Sequence, residues 1–498
     1  MDLLWTSAGW PILSMLIFLP LAGVLILPLL RNDGLAKSWT LAVTLLTLLL
    51  SLPLYAAFDF STAEYQFRED APWIASLNIN YSLGIDGISL LLVLLTTVLT
   101  PLCVLCSWRA IGIRVREFMI CILVMESAML GVFMALDFVL FYIFWEVMLI
   151  PMFLLIGVWG GPRKIYAAVK FFLYTLAGSV LLPVAVILLY LHSQPHTFSI
   201  PELMGQPYSA PLQIWVFLAF FVAFAVKVPM FPFHTWLPAA HVEAPTAGSV
   251  LLASILLKMG AYGFLRFCLP MTPMGVAACA PYVLALSAIA IIYGGFTALA
   301  QSDMKKLVAY SSVAHMGFVT LGIFVLNVNG IEGALLQMIN HGITTGALFL
   351  CVGIIYERTH SRELAEATGI GKVMPVYVTA LTIFGLSSLA FPGTNSFVGE
   401  FLVLIGTFAS SVTLGWLVIP GVVLSAAYML RMLQRIIWGG MSNPDTSRLK
   451  DLTLREIVTL APLVVLVFWI GLAPAAFTKV FHASVRHLVS QVQAGLNM

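Results

Sequence analysis

The chain is a succession of long apolar runs separated by short polar links. A helix needs about 20 apolar residues to cross a bilayer. Fourteen runs reach that length: 10–30, 38–58, 86–108, 117–136, 138–160, 166–191, 212–240, 246–269, 276–300, 307–327, 332–356, 373–410, 415–437 and 456–474. As a single helix, residues 117–160 would be about 66 Å long, so they must be two spans that turn near Asp137. Residues 373–410 would reach about 57 Å. They contain the helix breaker Phe391-Pro392-Gly393-Thr394-Asn395 and read either as two spans or as one interrupted span. The first run follows no basic residue and is too long for a signal sequence, so it reads as an uncleaved span. After Pro474, Phe477, Val480, Phe481, Val485 and Leu488 recur at helical spacing with Lys479 and Arg486, which predicts a short amphipathic helix lying at the interface.

Basic residues decide between the two readings of 373–410. If it crosses once, seventeen of the 24 Lys and Arg fall on one side: Arg31, Lys37, Arg109, Arg114, Arg116, Arg163, Lys164, Lys305, Lys306, Arg358, Arg362, Lys372, Arg431, Arg435, Arg448, Lys450 and Arg455. Arg68, Arg266, Lys479 and Arg486 fall on the other. Two crossings would move the last five of the seventeen across. The positive-inside rule therefore predicts one broken twelfth span, with both termini facing away from the cytoplasm. Lys170 is left near a span end, whereas Lys227 and Lys258 lie near the middle of theirs.

The seventh span carries the same kind of defect, Lys227-Val228-Pro229-Met230-Phe231-Pro232-Phe233. Phe231-Pro232 and Phe391-Pro392 are 160 residues apart. Spans 4–8 and 9–13 start at offsets of roughly 160–170 residues, and five is an odd number, so the second unit is inverted relative to the first. Paired broken helices in inverted halves point to an ion or substrate pathway at the bilayer midplane. The expected organisation is 1–116 (spans 1–3), 117–270 (first repeat), 271–440 (second repeat) and 441–498 (span 14 and the tail). The fold class is an all-α polytopic membrane protein.

Composition narrows the function. Sixty-one per cent of residues are hydrophobic and 9% charged, for a net charge of +2. A water-facing surface needs about 25% charged residues, so a soluble enzyme, a nucleic-acid binder and a disordered chain are excluded. Cys103 and Cys106 form a C-x-x-C inside an apolar run with no further ligand and read as small core residues. No phosphate loop, dinucleotide fingerprint or cluster framework is present, so no cofactor is expected in this chain.

Charges at the bilayer centre cost at least about 2.5–3.5 kcal/mol and are functional candidates by default. Glu126, Glu146, Lys227, Lys258, His315, His341 and Glu400 form such a set, distributed over spans 4, 5, 7, 8, 10, 11 and 12. Glu146 is surrounded by apolar residues, and Lys227 is its natural partner. The pair is either a proton switch or a static bridge between helices. Lys258 is placed to pass a proton onward. Glu400 is either the exit group or a cap of the second half-helix. His315 and His341 suit a proton relay, with satisfied core histidines as the alternative. His234 and His241 are seven residues apart, on one face of a helix, which suits a cytoplasmic proton mouth; a metal site lacks a third ligand. Glu126 is either structural or a link toward a neighbouring subunit. Asp86 reads as a helix cap.

The segment Lys227-Val228-Pro229 through His234-Thr235-Trp236-Leu237-Pro238-Ala239-Ala240-His241-Val242-Glu243-Ala244-Pro245-Thr246, together with Phe144-Trp145-Glu146 and Gly84-Ile85-Asp86-Gly87, resembles the antiporter-like subunits of respiratory complex I over nearly the whole chain. The short tail after span 14 and the glutamate at 400 single out one branch of that family. The resemblance implies a proton-translocating membrane-arm subunit of the bacterial inner membrane, driven remotely by electron transfer from NADH to quinone. It makes Glu146 and Lys227 the switching pair, Lys258 the central relay and Glu400 the exit. Its partners would be the other membrane-arm subunits, the lipid bilayer, and protons with internal water. FMN, iron–sulfur clusters and NADH would belong to other subunits. The alternatives are an Mrp-type cation/proton antiporter subunit, a hydrogenase-linked membrane subunit, and a structural scaffold between pumps.

Overall fold

A computed structural model of the chain describes residues 10–438 and 449–496. Arg448, the 440/441 boundary and the first nine residues of the first segment lie outside the described residues. Thirteen described helices are long and apolar enough to cross a bilayer, and the pair Pro375–Ser388 and Asn395–Ser410 supplies one further, interrupted crossing. The crossings follow the sequence pattern, with ends displaced by a few residues.

Short polar side chains cut the apolar sequence into spans. Asp137 sits between spans 4 (Val115–Met134) and 5 (Phe138–Trp159), where its carboxylate accepts Val139 N at 2.8 Å and Leu140 N at 3.3 Å. Asp303 does the same for Lys305 N and Lys306 N at the start of span 10 (Met304–Phe324), and Asn327 accepts Gly330 N ahead of span 11 (Val328–Thr359). Each side chain satisfies helix-terminal N–H groups that would otherwise be orphaned. Asp137 also accepts Asn80 N, and burial pushes its carboxyl up to about 6 against the three backbone donors that hold it down.

The sequence pattern misses an antiparallel hairpin, β1 (Gln66–Ile74) with β2 (Ile79–Ile85), between spans 2 and 3. Asp86 then caps span 3 (Gly87–Ala110) by accepting Ile88 N and Ser89 N, as expected, and also pairs with Arg266 at 2.6 and 2.9 Å. The tail corrects a second expectation. Its helix is Ala475–Leu496, 22 residues rather than a short one. Val480, Phe481, Val485, Leu488 and Val492 are buried against spans 3, 8, 9 and 11, so protein rather than lipid covers the apolar face. The hairpin and tail occupy one face of the helical layer. Arg358, Arg362 and Arg455 lie at the other, paired with Glu456, Asp303 and Glu357.

Helix defects are more numerous than the two breaks read from sequence. Span 7 ends its first half at Lys227 and resumes at Trp236. Span 12 stops at Ser388 and resumes at Asn395. Span 5 is also interrupted at Met148 and span 6 (Lys164–His192) at Val180. Pro151 and Pro183 explain both, because a proline ring clashes with the carbonyl four residues earlier and offers it no N–H. Span 8 (Thr246–Met271) contains two π-helical segments, Leu252–Leu256 and Phe264–Cys268, one on either side of Lys258.

Candidate functional site

The span-7 break is satisfied by protein groups. Pro229 cannot donate, so Ala225 O takes Met230 N at 2.8 Å, and Val226 O takes the Trp236 indole at 2.9 Å. Lys227, the last helical residue before the break, is 3% exposed. Its Nζ lies 4.9 Å from the centre of the Trp145 ring, a cation–π contact, and has no hydrogen-bond partner. Glu146 is the next residue along span 5, yet it forms no ion pair with Lys227, and its Oε1 is also unpartnered. Glu146 is half-buried, with Oε1 shielded from solvent, and shares a helix face with the exposed Ile143, Val147 and Ile150.

Spans 7 and 8 approach at Gly260, where a Cβ would stand 2.8 Å from Phe224 O and 2.7 Å from a Val228 methyl. Two residues earlier, Lys258 is wholly buried. Its ammonium donates to Ala253 O within the first π segment and lies 2.5 Å from His341 Nδ1. Ser254 Oγ, bonded to Gly342 O at 2.7 Å, ties span 8 to span 11 at this level.

The series then continues. The rings of His341 and His315 are 5.9 Å apart between centres. His315 Nδ1 lies 2.9 Å from Glu400 Oε1, and its Nε2 faces Tyr428 OH at 3.2 Å and Ser388 Oγ at 3.4 Å. Gln337 Nε2 donates to the same Glu400 Oε1 at 3.0 Å. Glu400 bonds side chains and does not cap its half-helix. A neutral cluster spans the break: Asn340 Nδ2 donates to Asn395 O at 2.7 Å, Ser387 Oγ to Asn395 Oδ1 at 2.5 Å, and Thr344 Oγ1 meets Ser387 Oγ at 2.6 Å, while Thr394 Oγ1 and Ser425 Oγ donate to the carbonyls of Phe391 and Ser388. Broken backbone at membrane depth survives only where protein or water meets it in this way.

The other candidates stand apart. Glu126 is fully buried with both oxygens unpartnered. His234 and His241 do not share a helix face: His234 lies in the non-helical link before Trp236–Glu243, against Phe231 and Tyr293, whereas His241 is on that helix and stacks on Phe349 at 4.5 Å. Proline in the link ends the periodicity that would have aligned them. Both ring nitrogens of His241 are buried without partners. The next residues, Val242 and Glu243, line a cavity of about 510 Å³ at the basic face, together with Arg109, Trp159, Lys305 and Arg362.

A buried lysine, two histidines and a carboxylate thus follow one another through spans 8, 11, 10 and 12, and the chain as a whole has relatives. A sequence family described as NADH:quinone oxidoreductase/Mrp antiporter, TM, matches residues 135–426. The chain belongs to this family. NADH-quinone oxidoreductase subunit M of Rhodobacter capsulatus is 48% identical over 97% of this chain and 98% of its own. A chain of respiratory complex I from Thermus thermophilus, solved with bound NADH, superposes with a TM-score of 0.89 at 31% identity, covering 96% of this chain and 99% of that one. A chain of the Mrp complex from a Dietzia species reaches a TM-score of 0.82 at 21% identity, over 97% of this chain and 55% of that one, which shows a common fold.

Within this antiporter family chain, the ionisable residues are visible in sequence, but their neutral partners are not singled out. Gln337, Asn340, Asn395 and Tyr428 complete the site. The usable signal is neutral polar side chains within apolar spans: Gln337, Asn340 and His341 recur at i, i+3 and i+4 on one face of span 11.

Proposed function

We propose that this chain is a proton-translocating membrane-arm subunit of a NADH–quinone oxidoreductase. Other subunits hold NADH, flavin, iron–sulfur clusters and the main quinone site, and this chain moves protons. The observation that carries the reading is the buried series Lys258–His341–His315–Glu400, whose outer pairs are at hydrogen-bond distance and whose two imidazoles lie edge to face, 5.9 Å between centres. A neutral imidazole can accept a proton on one nitrogen and release one from the other. His341 and His315 are therefore suited to carry protons between an amine and a carboxylate. The cavity at the basic face serves as intake, with the buried His241 next in the chain to its lining residue Val242. Lys227 and Glu146 form the switch: the amine over Trp145 has no hydrogen-bond partner, and approach or withdrawal of the carboxylate would load or unload its proton. Glu126 and His234 have no step in this route.

The two repeats, 117–270 and 271–440, each supply one broken helix to the pathway. Termini facing away from the cytoplasm fit the basic residues of the links. The membrane is the bacterial inner membrane, and the neighbouring membrane-arm subunits cover the face that bears Glu146. In liposomes containing the assembled complex, Lys258→Met is expected to abolish most NADH-driven proton transport and slow quinone reduction with it. A wild-type proton yield per NADH in that variant would reject the pathway.

A further inference from the structure

We infer that Gln337 is a positioning residue that holds the Glu400 carboxyl aimed at His315. The inference rests on the proton-translocation reading above. Gln337 is 1% exposed, and its Nε2 donates to Glu400 Oε1, the oxygen that also meets His315 Nδ1. Two contacts from different spans, the Gln337 amide and the His315 ring, thus fix one carboxylate oxygen and with it the rotation of the group. The reverse orientation of the amide would set its oxygen against the carboxylate, so the contact defines which end faces Glu400.

The seat for this amide is specific. A Cβ at residue 399 would stand 2.7 Å from Gln337 Oε1 and 3.0 Å from Gln337 N, so only glycine lets span 11 and the half-helix Asn395–Ser410 close around it. Glu400 Oε2, Gln337 Oε1 and Asn340 Oδ1 are buried acceptors without partners. Unsatisfied buried acceptors call for a donor from outside the chain, and a proton or water arriving at Glu400 is such a donor.

Few charged groups compete for Glu400. Span 10 presents His315, with His341 of span 11 and Lys258 of span 8 behind it. Span 13 presents the Tyr428 phenol, bonded to His315, and the half-helix Pro375–Ser388 presents only the Ser388 hydroxyl. The ionisable residues of span 14, Arg455 and Glu456, are at its opposite end, where Glu456 pairs with Arg358. An amide N–H bonds a carboxylate oxygen more strongly than it bonds the carbonyl of the neutral acid, so removing the Gln337 donor should favour the protonated acid in the variant.

The test uses the assembled complex in liposomes and reads the infrared carboxylic-acid band of Glu400, identified as the band lost in Glu400→Gln, across pH. Gln337→Met keeps the length and removes the donor. Gln337→Glu keeps the shape and makes two carboxyls share a proton. The midpoint is expected to rise by about one unit in Gln337→Met, a tenfold gain in proton affinity, and further in Gln337→Glu, with slowed pumping in both. If Gln337→Met does not assemble, Gln337→Glu decides alone. An unmoved midpoint in the assembled variants overturns the positioning role and leaves the pathway standing. A Glu400→Gln complex that pumps at the wild-type rate overturns the pathway, and the role of Gln337 with it.

Discussion

His315 of span 10 and Glu400 of the second half of span 12 meet at 2.9 Å, and both are nearly excluded from solvent. A carboxylate facing an imidazole in such a place allows either of two states, an ion pair or a neutral pair, that differ by one transferred proton. Glu400→Gln keeps the shape and removes the titration. It should impair NADH-driven pumping by about tenfold or more, in line with the loss of a positioned proton-transfer group. Glu400→Asp keeps the titration and draws back by one methylene, and it should retain most of the activity. Proton transport and quinone reduction measured on the same liposomes check both. Equal wild-type rates in the two variants would leave Glu400 a purely structural role.

Glu146 and Lys227 predict a different signature. Glu146 lies on a face with Ile143, Val147 and Ile150 exposed, and no buried cation depends on it for a hydrogen bond. Its removal therefore breaks no hydrogen bond to the buried Lys227, and Glu146→Ala should assemble normally. Coupled quinone reductase activity should nevertheless fall nearly to background, because Lys227 loses the group that modulates its proton affinity. Native-gel analysis of assembly, beside NADH-driven turnover, separates the two effects. An assembled variant with normal turnover and proton yield would remove the pair from the mechanism.

The parts of this molecule that were legible in sequence are those with a local cause. Pro229, Pro232 and Pro392 announce the breaks in spans 7 and 12, because a missing N–H acts within one turn. The split at Asp137 follows from length and a capping carboxylate. The hairpin of β1 and β2 is hidden, because Arg68, Glu69 and Asp70 make it look like a polar link. The π segments around Lys258 have no residue signature in the run Leu252–Leu256. Distances across spans are not local at all: the sequence puts Glu146 and Lys227 in mid-membrane and cannot say that Trp145 occupies the space over the ammonium. Gln337 and Asn340 share a helix face with His341 in the sequence, but their partners Glu400 and Asn395 appear only once span 11 is seen against the broken helix.

His341 gives a prediction about continuity. It is the element between Lys258 and His315, at 2.5 Å from the first and a ring contact from the second. His341→Gln retains a polar side chain that can accept from Lys258 and cannot take up a proton at neutral pH. Proton pumping should drop strongly, while His341→Ala should lose assembly as well, since it leaves the Lys258 ammonium without its side-chain acceptor. Comparing the amount of complex in membranes with the pumping rate per complex distinguishes them. If His341→Gln pumps as the wild type does, the route bypasses span 11.

Asp86 and Arg266 allow a stability prediction independent of proton transfer. The pair is bidentate and only 5% and 6% exposed, and it joins the start of span 3 to the second π segment of span 8. Arg266 also donates to Tyr65 OH and Ser89 Oγ, so its guanidinium is fully engaged. Asp86→Ala leaves that guanidinium buried without a counter-charge, which costs about 3–5 kcal/mol, whereas replacing both partners with apolar residues is often close to neutral. Asp86→Ala should therefore lower the thermal unfolding temperature and the yield of assembled complex. Adding Arg266→Met should restore much of both, with Tyr65 and Ser89 left as neutral hydroxyls. Should the double variant be less stable than Asp86→Ala alone, the hydrogen bonds of Arg266 to Tyr65 and Ser89, rather than the ion pair, would be what joins span 3 to span 8.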